Sequence, residues 1–138
     1  EYWGPSMPRV LSFGRNPEGD PYTLYIGTTN GLYVSNSFEG YGLYDYPDFV
    51  SGTEGLAINK IVVGPLGGAA CMTSSGVVLY NPNDNMFTRL PFLPVMTGTV
   101  NDIGLFDDGS GNLNLLVAGS AGLGTVPVNY WMPDGGDF

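Results

Sequence analysis

The sequence predicts an all-β fold built from three similar units of about 45 residues each. The turn glycines Gly31, Gly76 and Gly122 each end a short turn of small residues, and they follow one another at intervals of 45 and 46 residues. An apolar strand lies on either side of each turn. No window of about 11 to 18 residues carries the apolar stripe of an amphipathic helix, so we expect little or no helix.

The three turns define three predicted β-hairpins. They occupy residues 22–35, 68–80 and 113–126, and each reads as apolar strand, turn, apolar strand. Glycine is favoured at such a turn because it adopts a positive φ without steric conflict.

Additional strands complete each unit. One strand is predicted before each hairpin, at residues 9–13, 59–63 and 100–106. Another is predicted after each hairpin, at residues 43–50, 85–90 and 128–131. Four short strands in about 45 residues is the pattern of a β-propeller blade. The units run approximately over residues 9–50, 59–94 and 100–131, within one all-β domain at 1–138 or as part of a larger propeller.

Residues 24–35 resemble the strand-turn-strand core of known propeller blades. Similar stretches occur in bacterial neuraminidase-type repeats, in sortilin-like propellers and in the propellers of sensor kinases. The resemblance covers about a dozen residues of the first unit and is weaker in the other two. It implies a propeller fold and says nothing about an activity, since propellers support many functions.

The number of units bears on assembly. A closed propeller has about four to eight blades, and this chain supplies three. An open arc would expose sheet faces and strand edges. We therefore expect the chain to belong to a longer propeller or to pair with a second copy into a six-blade ring. The alternative fold is a β-sandwich or jelly roll, which needs no missing blades.

Charge excludes two classes of partner. The net charge is −9, and the only cations are Arg9, Arg15, Lys60 and Arg89. Nucleic acids and anionic membrane surfaces both require a cationic patch, which four scattered residues do not supply. No apolar run reaches the roughly 18 residues of a spanning helix, so no membrane insertion is expected. Low charge with abundant Tyr, Asn and Gly favours an extracellular or particle-surface location.

The residue inventory predicts a protein that is not an enzyme. There is no histidine, which rules out Ser-His-Asp and Cys-His arrangements. The single cysteine, Cys71, lies in an apolar stretch and is read as a buried core residue. No cofactor is predicted.

One weak metal site is a candidate. Asp108, Ser110, Asn112 and Asn114 alternate as oxygen donors around two glycines, which is the arrangement of a calcium-binding loop. The competing interpretation is a polar hairpin turn without metal, since a strong site would carry more carboxylates.

A second candidate is a binding surface formed by Tyr41, Tyr44, Asp45, Tyr46 and Asp48. Tyrosine rings beside carboxylates suit either a protein interface or a sugar, which stacks on the rings while the carboxylates accept its hydroxyl hydrogens. We therefore expect a structural or interaction module that assembles with itself or a larger protein, as in a particle, filament or surface layer. The alternative function is a carbohydrate- or ligand-binding module.

Overall fold

A computed structural model of the chain is all-β. It describes residues 8–15, 23–35, 38–39, 42–43, 47–64, 68–73, 76–81, 86–89, 99–107 and 113–127, and none of these residues is helical. The strands within these ranges are β1 Val10–Arg15, β2 Leu24–Thr28, β3 Gly31–Ser35, β4 Phe38–Glu39, β5 Gly42–Leu43, β6 Asp48–Phe49, β7 Ile58–Val63, β8 Ala69–Thr73, β9 Gly76–Asn81, β10 Met86–Arg89, β11 Val100–Asp107, β12 Leu113–Gly119 and β13 Gly122–Pro127.

The strands form three antiparallel meanders and a small ribbon. Sheet I has the order β1-β2-β3-β6, sheet II the order β7-β8-β9-β10, and sheet III the order β11-β12-β13. The ribbon pairs β4 with β5. Within each sheet the strands are neighbours in chain order, although the β4–β5 ribbon lies between β3 and β6 in the sequence.

The central hairpins of the three sheets share one register. The last residue of the first strand pairs with the turn glycine in each: Thr28 with Gly31, Thr73 with Gly76, and Gly119 with Gly122. The three glycines have φ values of 106°, 113° and 128°. These values lie in the left-handed region, which explains why glycine occupies these positions.

The first strand of each sheet is also irregular at the same place. Its pairing with the next strand shifts after Val10 in β1, after Ile58 in β7 and after Val100 in β11. In each case one residue is skipped, as in a β-bulge, before the pairing resumes. The three sheets therefore correspond residue by residue across their first three strands.

The sheets are stacked, with sheet II in the middle. One core cluster joins sheet I to sheet II through side chains that include Leu32, Ile61 and Cys71. A second cluster joins sheet II to sheet III through Val77 and Ile103, among others. Successive residues of β8 and β9 alternate between the two clusters, which is the two-residue period of a strand.

The segment that leads from sheet I to sheet II is held by a buried threonine. The Thr53 hydroxyl donates to the carbonyl oxygen of Val50 at 2.7 Å and accepts from the amide of Leu32 at 3.0 Å. Thr53 is fully buried, so these bonds replace the water that its hydroxyl loses on folding. They fix the connection against the hairpin of sheet I.

The predicted hairpins and first strands are confirmed to within one or two residues, as is β10. The predicted strand at 43–50 is partly wrong. Gly42–Leu43 pairs with Phe38–Glu39 in the ribbon, and only Asp48–Phe49 joins sheet I. Pro47 lies directly before β6, and a proline cannot donate to a strand ladder. The predicted strand at 128–131 lies outside the described residues.

Candidate functional site: the two end faces of the stack

The candidate site consists of two apolar surfaces at opposite ends of the sheet stack. Sheet II contacts sheet I through one of its faces and sheet III through the other. Among the described residues, sheets I and III each contact another sheet on one face. We call the face of sheet I that is turned away from sheet II the back face, and the face of sheet III that is turned away from sheet II the front face.

The back face is a row of four apolar side chains across all four strands of sheet I. Register places Phe13 beside Ile26, Ile26 beside Tyr33, and Tyr33 beside Phe49. The rings of Tyr33 and Phe49 meet edge to face, with centroids 5.2 Å apart. Phe13 is 73% exposed and Phe49 is also exposed, whereas Ile26, between Phe13 and Tyr33, is only 4% exposed.

The front face lies opposite Ile103, Leu115 and Val117, which are buried against sheet II. Because residues alternate along a strand, the front face carries Gly104, Phe106, Leu116 and Leu123, together with the polar Asn114 and Thr125. Leu123 is 70% exposed and Phe106 is also exposed. A Cβ atom placed on Gly104 would have no atom within 4 Å, so the surface in front of this glycine is open.

The exposed ion pair between sheets II and III lies beside this surface. Lys60 Nζ is 2.5 Å from Asp102 Oδ1 and links β7 to β11. The hydrogen bond from Lys60 lowers the pKa of Asp102, and the amide of Ile103 donates a further bond at 2.9 Å. Both side chains are largely exposed, so the pair orients the two strands more than it stabilises the fold.

Cys71 lies inside the stack and has no access to either end face. It is completely buried in the cluster between sheets I and II. Burial raises the pKa of its thiol to about 12. Burial also raises the pKa of Tyr25, whose ring meets that of Tyr80 edge to face at 6.0 Å. Both groups therefore stay protonated and serve as core side chains.

Most of the predicted site residues lie outside the described part of the chain. Of the calcium candidates, Asp108, Ser110 and Asn112 fall there, while Asn114 lies half-buried in β12. Of the tyrosine-rich candidates, Tyr41, Tyr44, Asp45 and Tyr46 fall there, and Asp48 is exposed in β6 opposite Val34. Within the described ranges, no three acidic, cysteine or histidine residues lie together in a way that could hold a metal ion.

Sequence reasoning missed the end faces, although a signal for them is present. Residues 115–118 of β12 are apolar at every position, which is typical of a strand covered on both faces. Among the described residues, no sheet packs against the side of β12 that carries Leu116. A strand that is apolar on both faces but covered by a sheet on only one makes the other face a candidate contact surface.

Comparison with protein-family models, curated proteins and solved structures finds no match to this chain. Among the described residues, no helix has the length and apolar character needed to cross a membrane.

Proposed function

We propose that this chain is a non-enzymatic structural or interaction module. Its three sheets would be propeller-type blades, and its two end faces would join it to another copy or to a larger protein. The observation that carries the proposal is the apolar surface at both ends of a stack whose internal interfaces are already built from equivalent surfaces.

The common register supports the interpretation of the sheets as blades. All three sheets are antiparallel meanders with the same hairpin pairing and the same irregularity in the first strand. Each sheet also turns the equivalent face toward its predecessor, since Cys71 contacts sheet I and Val117 contacts sheet II. Blades of a propeller pack in such a regular succession around an axis.

The exposed apolar side chains support an interface. Burying a phenylalanine or leucine side chain contributes about 1.5–3 kcal/mol relative to leaving it in water. In a single copy this contribution is incomplete for three side chains that remain exposed to water, namely Phe13, Phe106 and Leu123. Large apolar side chains that are left exposed together on one surface are typical of association sites, and each end face carries such side chains. A repeating assembly of this type suits a particle, a filament or a surface layer.

The test is the mass of the purified chain in solution, measured by light scattering on a size-exclusion column between about 1 and 100 µM, the range of moderate affinities. We expect a mass of at least two chains of 14.7 kDa. A larger mass supports an assembly module whichever surfaces carry the association. A single-chain mass throughout the range, with a sharp unfolding transition, would contradict self-assembly through the end faces.

A further inference from the structure

We propose that the front face of sheet III packs on the back face of sheet I of a second copy, head to tail, so that two chains close a ring of six sheets. This inference rests on the proposed function and names its partner and its contact surface. It follows from the equivalence between the two exposed faces and the two interfaces inside the stack.

Leu123 occupies the position of a core residue. It directly follows the turn glycine of its hairpin, as Leu32 and Val77 do in sheets I and II. Leu32 is buried against sheet II, and Val77 is buried against sheet III. Leu123 has the same place in sheet III and is 70% exposed, because none of the described sheets covers it.

Phe13 is the matching residue on the other end. It pairs with the central strand where Ile61 and Ile103 do in sheets II and III. Ile61 is buried in the cluster that contains Leu32, and Ile103 in the cluster that contains Val77. A third interface of the same kind therefore brings Phe13 of one copy against Leu123 of the other.

The shapes of the two faces are also complementary. At the interface between sheets I and II, Gly14 lies against Ile61, since a Cβ atom on this glycine would be 2.7 Å from Ile61 Cγ2. Register gives Gly104 the same place on the front face of sheet III. Its open space receives the ring of Phe13, which is larger than the isoleucine that Gly14 accommodates.

The charges of the two first strands are opposite. Residues 8–15 contain Arg9 and Arg15 and no acidic residue. Residues 99–107 contain no basic residue and two acidic ones, Asp107 and Asp102, of which Asp102 already pairs with Lys60 in its own chain. First strands of adjacent sheets are neighbours in this stack, as the ion pair between Lys60 and Asp102 illustrates. Head-to-tail packing places the basic strand β1 next to the acidic strand β11 of the second copy.

The number of copies follows from the number of sheets. A head-to-tail contact makes a ring if its rotation closes and a filament if it does not. Closed propellers contain about four to eight blades, so two copies with six sheets fit and three copies with nine do not.

The experiment uses three variants, Phe13→Asp, Leu123→Arg and Gly104→Leu, with Ser51→Asp and Ala121→Arg as exposed turn controls. Native mass and circular dichroism are measured for each. Each of the three variants alone should weaken association by about 30-fold or more, as expected for a central interface residue. The controls should keep the mass of two chains. Gly104→Leu extends into open space within one copy, so it tests the interface without disturbing the monomer fold.

Mixing provides the decisive measurement. An equimolar mixture of Phe13→Asp and Leu123→Arg can form a ring that contains one copy of each variant. One interface of this ring then has the native Phe13 and Leu123, and the other brings the introduced aspartate next to the introduced arginine. We expect the mixture to recover the mass of two chains that neither variant shows alone. Association that survives one of the two substitutions, or is lost and not restored by mixing, overturns this contact while leaving self-assembly intact. A wild-type chain that is a monomer overturns both this contact and the self-assembly that the proposed function expects.

Discussion

At the scale of single residues, a few buried side chains have hydrogen bonds or protonation states that depend on their exclusion from water. The Thr53 hydroxyl donates to Val50 within its own segment, and it accepts from the Leu32 amide because residues 50–56 lie against the hairpin of sheet I. Cys71 and Tyr25 share the cluster between sheets I and II. Both side chains stay protonated because burial would deprive their charged forms of hydration.

This protonation predicts a loss of stability at alkaline pH. The pKa of Cys71 is raised to about 12 in the folded chain, and an unfolded thiol titrates near about 8.5. Below pH 8.5 both states hold the proton and stability is unaffected. Above it the unfolded chain binds fewer protons, so stability falls as pH rises, by about 2 kcal/mol at pH 10 from this thiol.

The measurement is urea unfolding with reductant at pH 7, 8.5 and 10, compared between the wild type and Cys71→Ala. The substitution removes the thiol contribution and leaves Tyr25, so the variant should lose less stability between pH 8.5 and 10. Equal losses in the two proteins would show that the thiol is not sealed from water.

The sequence predicts some of these residues and not others. The turn glycines are predictable because a positive φ is a local requirement that favours glycine. The roles of Thr53 and Gly104 are not, since each depends on a strand or segment distant in the chain. The exposure of Phe13 and Leu123 could not be predicted either, because it depends on which sheets pack against each other. Both occupy apolar strand positions that the local pattern assigns to a core.

At the scale of elements, hairpins are the part of the fold that sequence predicts best, since their pairing is decided by a short turn. The fourth strands are predicted less well. The strand expected at 43–50 is divided because Leu43 pairs locally with Phe38 and Pro47 precedes the short β6. Which strand reaches the sheet edge depends on tertiary pairing, which a local apolar run does not encode.

The packing of one sheet on the next predicts unequal effects of the same substitution at two equivalent glycines. Gly14→Ala would place a Cβ atom 2.7 Å from Ile61 Cγ2 and 3.0 Å from Val63 Cγ2. These atoms belong to stiff β-branched side chains in the core, so we expect a loss of about 1–3 kcal/mol. Gly104→Ala meets no atom within 4 Å and should leave stability unchanged or raise it by up to about 1 kcal/mol.

Both glycine variants are unfolded with urea at a dilution where light scattering gives the mass of one chain, so that association does not contribute. A loss of stability at both positions would mean that sheet III already carries a neighbour on its front face. No loss at either position would mean that sheet I lies farther from sheet II than described.

At the scale of the whole molecule, the three sheets are stacked so that stability is unequal between the middle and the ends. The threefold pattern was predictable from the spacing of the turn glycines. The order in which the sheets stack, and the residues that form the back and front faces, were not predictable from the sequence. Both depend on the register of the paired strands.

Sheet II should be the last part of the molecule to open. Its strands β8 and β9 contribute side chains to both core clusters, so opening them breaks the interfaces with sheets I and III together. Opening sheet III breaks only the second cluster. Because hydrogen exchange reports the free energy of each opening, amides of β8 should exchange more slowly than amides of β12, although both are central strands of their sheets.

Hydrogen exchange is followed by mass spectrometry on the Leu123→Arg variant. This variant reports on a single chain, because the proposed partner no longer covers its front face. In the wild type at high concentration, a second copy would cover sheet III and reduce the difference between β8 and β12. If β12 is the slower strand in the single chain, the middle sheet is not the most stable unit, and the stacked arrangement does not govern how the molecule opens.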